Sequence, residues 1–160
     1  MLRLTACLTA LSVALLTTGA FAQDAKQTRY AVLIMEKPAG MQTNTLAADG
    51  SRNLSYEFND RGRGPKLTAT VRLDDAGVPA SMKIDGVDYL KAPVAETFSA
   101  TGGVARWKNS AEAGEQQVAG RAFYLSTQGL PEELGWLARA LLQAPGQRLA
   151  LLPAGSARRA

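Results

Sequence analysis

The sequence predicts a mainly β protein: an antiparallel meander, curved sheet or partly closed barrel of about eight to ten strands with one late amphipathic helix. Three observations predict it. Short apolar-alternating runs recur with turn residues between them, as in Pro65–Asp74, where Leu67, Ala69, Val71 and Leu73 alternate with Lys66, Thr68, Thr70 and Arg72. Glycine- and aspartate-bearing breaks separate these runs, and only one segment carries a helical period.

The chain opens with a segment that is not part of the fold. Arg3 supplies a positive start, Leu4–Leu16 is apolar apart from small hydroxyl residues, and Ala20-Phe21-Ala22 offers a peptidase site. This reads as a signal peptide over 1–22, with cleavage after Ala22 and a periplasmic or secreted product. The apolar run is shorter than the roughly 18–20 residues of a spanning helix, so no membrane span is expected after cleavage. Cys7 lies near the start of the apolar run rather than after it, the wrong side for a lipid anchor. It leaves with the leader, and a disulfide is not required in such a compartment.

Removing the first 22 of 160 residues leaves 138, enough for a single core. The reading is a polar leader over 23–29, a single β-rich domain over 30–153, and a flexible or truncated tail over 154–160. Formal charge falls from +4 to +3 as Arg3 leaves, with bases spread among acids. That distribution excludes a nucleic-acid binder, which gathers lysine and arginine on one face.

The expected elements follow in order. Tyr30–Met35 is an apolar strand. Asn53–Phe58 turns Leu54, Tyr56 and Phe58 inward. Pro65–Asp74 follows, and Asp74-Asp75-Ala76-Gly77 is a turn rather than a calcium loop. Asp85-Gly86 suits a two-residue hairpin joining Ser81–Ile84 to Val87–Leu90. Glu96–Ala100 and Val104–Ser110 flank Thr101-Gly102-Gly103, and Glu115–Ala119 and Arg121–Ser126 come next. Pro131 suits a first helical position and Glu132 and Glu133 a first turn, so the helix spans 131–144 with Leu134, Leu137, Ala138, Leu141 and Leu142 as its stripe. Arg148–Leu152 is a last strand.

The chemistry is constrained by what is missing. There is no histidine and, beyond the leader, no cysteine, so triads of the serine or cysteine type and structural zinc sites cannot be built. No cofactor, metal site or catalytic residue is assigned. A carboxylate-only enzyme would draw on Glu57, Asp60, Glu96 and Glu112, but separate strands and loops favour a solvated surface. Arg61 and Arg63, in a glycine-rich connection, are the candidates for an anionic ligand or acidic partner, against simple pairing with Asp60. Trp107 and Tyr124 are candidates for lining an apolar cavity, against core packing. Leu130 and Trp136 are candidates for an exposed partner patch.

Several strings carry a resemblance: Tyr56-Glu57-Phe58-Asn59-Asp60-Arg61-Gly62-Arg63-Gly64-Pro65-Lys66-Leu67, Asp88-Tyr89-Leu90-Lys91-Ala92-Pro93-Val94 and Ala105-Arg106-Trp107-Lys108-Asn109, with Ala122-Phe123-Tyr124 and Leu151-Leu152-Pro153-Ala154-Gly155. Together they resemble the amino-terminal, non-catalytic region of exported bacterial amidohydrolase-family proteins, metal-dependent hydrolases several times longer than this chain. The resemblance implies catalysis by histidines and aspartates of a (β/α)₈ barrel, which needs about 250 residues. None of those ligands has a matching position here. The implied role is an exported β-domain that packs against or assists a catalytic barrel. The alternative from the residues is a stand-alone periplasmic binding module for a lipid or other apolar small molecule.

Overall fold

The computed structural model describes residues 26–159. The leader expected over 1–22, and residues 23–25, lie outside the described residues. Eight strands form one antiparallel sheet in which each pairs with its sequence neighbours: β1 (Lys26–Ile34), β2 (Lys37–Leu46), β3 (Arg52–Phe58), β4 (Lys66–Leu73), β5 (Pro79–Val87), β6 (Pro93–Thr101), β7 (Val104–Lys108) and β8 (Ala113–Gln117). The sheet is an open meander and does not close into a barrel.

A second unit follows: β9 (Ala122–Tyr124), α1 (Pro131–Gln143), a 3₁₀ turn at Pro145–Gln147, β10 (Arg148–Leu152) and β11 (Ser156–Arg158). β9 and β10 run parallel, as strands joined through a helical crossover do, and β11 adds antiparallel to β10.

Period-two alternation sets the inward face. Leu67, Ala69 and Val71 of β4 are buried, in register with Leu54 of β3 and with Met82 and Ile84 of β5. Val94, Glu96 and Phe98 of β6 continue the row. One core joins these residues to Phe123, Tyr124, Leu130, Trp136 and Leu149 of the second unit. The Phe98 and Tyr124 rings stack across the junction, parallel and 4.4 Å apart.

Three expectations are corrected, and one stretch that carried no reading is a strand. Asp85-Gly86 is not a hairpin turn: β5 runs straight through it, with Gly86 opposite Leu67 on one side and Val94 on the other. Gly86 has φ 140°, and a Cβ there would meet the Lys66 carbonyl oxygen at 2.1 Å, so the glycine serves a close approach of two strands. The turn comes later, where Asp88 Oδ1 accepts the Leu90 and Ala92 amides. The stretch without a reading, β2, is a full strand despite Pro38, Gly40 and a polar composition. Second, Lys26–Arg29 of the polar leader belongs to β1, and Ser156–Arg158 of the expected loose tail is β11.

Third, the buried face of α1 is rotated from the leucine stripe. Glu133, Trp136 and Ala140 point inward, while Leu134 and Leu142 are 71% and 60% exposed. Trp136 buries the largest apolar surface on the helix, and the residues three before and four after it go inward with it. Leu130 and Trp136 are therefore core residues, 2% and 1% exposed, and form no partner patch.

Candidate functional site

Two connections meet at one end of the sheet. Between β3 and β4, Asp60 and Arg63 exchange backbone hydrogen bonds (2.8 and 3.0 Å) around Arg61 and Gly62. Both central residues have positive φ, 55° and 86°, the geometry of a two-residue hairpin whose twist matches the strands. Asn59 Oδ1 accepts the Gly62 amide at 2.8 Å. Arg61 is left projecting into solvent at the tip. Between β5 and β6, the Asp88 turn carries Tyr89, Leu90 and Lys91.

The two connections are fastened together. The Gly64 amide donates to the Tyr89 carbonyl at 2.9 Å, and Lys91 Nζ donates to the Gly64 carbonyl at 2.6 Å. Tyr89 donates its hydroxyl proton to Asp60 Oδ2 at 2.7 Å, and that bond raises the phenol above its usual range. The Arg63 guanidinium lies 5.2 Å over the Tyr89 ring. Phe58 and Tyr56 extend the aromatic row, with centroids 6.2 and 5.8 Å apart. Arg61 and Arg63 approach Asp60 only at 3.9 and 4.0 Å, so both keep most of their donors for solvent or a visitor.

Beside this row lies a cleft of about 530 Å³, walled by Tyr56, Phe58, Tyr89 and Leu90 and closed by Thr127, Gln128 and Gly129. The wall formed by Thr127 is anchored from below. Glu96 of β6, 1% exposed, accepts from Tyr124 Oη at 2.8 Å, the Thr127 amide at 3.0 Å and Thr127 Oγ1 at 2.6 Å. Burial and the Glu96 bond raise the Tyr124 phenol strongly. Glu133 of α1, 2% exposed, holds the adjacent Ser126 amide at 3.2 Å, and its Oε1 has no partner among the described residues. Burial is the main cause that pushes its carboxyl up to about 7, with the Glu96 charge adding to it.

The structure gathers Arg61 and Arg63 and leaves the other predicted residues apart. Trp107 is half-buried, its ring lies across Gly114 of β8, and its Nε1 donates to Glu112 Oε1 at 3.0 Å. Tyr124 is a core residue, stacked on Phe98. Neither lines the cleft. Of the four carboxylates, Glu57 pairs with Lys66 at 3.2 Å, Asp60 serves the turn, Glu96 is interior and Glu112 caps Trp107. They form no common centre. Among the described residues no group of three or more His, Cys, Asp or Glu is arranged to hold a metal ion. Asp74 spends Oδ1 on the Ala76 and Val78 amides, as its turn requires.

Tyr89 and Glu133 were not singled out as site residues from the sequence, and Glu96 entered only as one of four carboxylates expected on a solvated surface. A signal for Glu96 exists, because Val94-x-Glu96-x-Phe98 places it on the apolar side of a strand. Comparison with known proteins returns no matching family model, no matching curated protein and no matching solved structure.

Proposed function

We propose that this chain is an exported, non-catalytic β-domain akin to the amino-terminal region of amidohydrolase-family proteins, and that it docks a catalytic partner domain through the loop end of its sheet. One observation carries the reading. Two strings of the resemblance, Tyr56–Leu67 and Asp88–Val94, lie on different connections of the sheet yet interlock through Gly64, Tyr89, Lys91 and Asp60 into a single surface. That surface presents what an interface core uses: an exposed aromatic, an exposed leucine and two arginines with spare donors. The absence of histidine from the whole sequence supports a supporting role rather than a metal-hydrolase role.

The test is binding to the catalytic barrel of an exported amidohydrolase that carries both strings in its own leader region, produced without that region. Titration calorimetry should show a one-to-one complex, weakened about tenfold or more by Arg63→Glu with Leu90→Glu. If the barrel's own excised leader region binds and this chain does not, the reading fails. Chelator-sensitive hydrolysis by the pure chain would also overturn it.

A further inference from the structure

A second surface, on the inward face at the opposite flank from β8, has the make-up of a ligand groove. β1, β2 and β3 leave α1 partly uncovered there, and two clefts of about 520 and 340 Å³ run between helix and strands, sharing Tyr30, Glu132 and Arg139. One cleft is walled by Tyr30, Val32 and Tyr56. The other gathers cations. Lys26, Leu46 and Arg52 stand at one register level across three neighbouring strands, so the two basic residues are about 10 Å apart with a leucine between them. Arg139 joins them from α1. None of these three cations forms an ion pair among the described residues, whereas seven other basic residues do. The one acid in the groove, Glu132, is occupied by a hydrogen bond from Asn44 Nδ2.

The helix contributes a second, independent sign. Gly135 lies in the middle of α1, where glycine costs roughly 1 kcal/mol relative to alanine. No packing demand explains it. A Cβ there would meet nothing closer than the Arg139 guanidinium at 3.8 Å, an ordinary contact, and Gly135 carries no left-handed φ. What the missing side chain does is keep the floor of the cleft open beneath Tyr30 and Tyr56.

We propose that this groove binds a monomeric amphiphilic carboxylate, its head held by Lys26, Arg52 and Arg139 and its apolar body lying over Gly135 against Tyr30, Val32 and Tyr56. Charge complementarity selects the head, since three cations face a single engaged acid. The aromatic and aliphatic wall selects an apolar tail. The inference stands apart from the docking surface at the loop end and does not depend on it.

Dodecanoate, kept below its micelle concentration, is the probe, titrated into the purified chain beside dodecyltrimethylammonium and anionic phosphatidylglycerol vesicles. One dodecanoate should bind per chain, with the ammonium of equal tail length about tenfold weaker or worse. Arg52→Gln with Arg139→Gln should weaken dodecanoate by about tenfold. Gly135→Leu fills the floor while improving helix propensity, so it should remove binding with an unchanged or higher Tm. No saturable dodecanoate binding, equal binding of the ammonium, full binding by Gly135→Leu, or attachment to vesicles alone would each overturn the proposal.

Discussion

Between about pH 4.5 and 7 the folded chain keeps a proton on Glu133 that the unfolded chain releases. The folded-state value is raised, so the native state binds more protons across that window and stability falls as pH rises. Below the window both states are protonated and the loss disappears. A shift from 4.5 to about 7 corresponds to about 3 kcal/mol lost by pH 8. Glu133→Gln keeps the shape and removes the charge, so urea unfolding at pH 8 should show it more stable than the parent by that order, with the gap closing at pH 4.5. Glu96, the other interior carboxylate, accepts hydrogen bonds from Tyr124 and Thr127. Glu96→Ala would strand Tyr124 Oη in the interior and release the Thr127 amide and hydroxyl to solvent, at a cost of about 1–3 kcal/mol, and would loosen the wall of the loop-end cleft. Chemical denaturation gives the first number, and hydrogen exchange at Thr127 reads the second. Alternation along the strand exposes the inward position of Glu96 to a reader of the sequence. Its partners were not legible, because Thr127 lies 31 residues away on a connection with no period.

At the level of elements, strands with clean alternation were legible and those shaped by neighbours were not. β4 and β6 announce their buried faces through Leu67-x-Ala69-x-Val71 and Val94-x-Glu96-x-Phe98. β2 does not, because its inward Gln42 and Asn44 are polar and bonded to each other at 2.9 Å, with Asn44 reaching on to the helix. Asp85-Gly86 imitates a hairpin signal, yet the glycine answers to the backbone of β4. Gly86→Ala should therefore cost roughly 2–3 kcal/mol by urea unfolding, although alanine suits strands no worse than glycine. The helix was legible in extent, over Pro131–Gln143, but not in orientation. Five leucine and alanine positions outvote one tryptophan by number, whereas burial is decided by area. Trp136→Ala should lose about 3–5 kcal/mol. Leu134→Glu and Leu142→Glu should each stay within about 0.5 kcal/mol of the parent, since both side chains already meet water.

For the molecule as a whole, the two proposed surfaces share Tyr56. Its side chain lines both the loop-end cleft and the groove beneath α1. The candidate site was legible only in part. Arg61 and Arg63 stand out as cations in a glycine-rich turn, but of the residues that give them a surface, Tyr89 was read as strand and Lys91 lies just beyond it. The groove was invisible because it depends on where the helix lies across the sheet. That placement has a consequence for the order of assembly. Each of the eight strands finds its partner next door in the chain, so pairing can proceed hairpin by hairpin as synthesis advances. The cover for their apolar side arrives last: Asn44 meets Glu132 across 88 residues, and Trp136 is made after the whole meander. A nascent chain halted before the helix would carry a paired sheet with its inner rows bare, and those rows, from Leu54 to Phe98, are where a holding chaperone would find its grip.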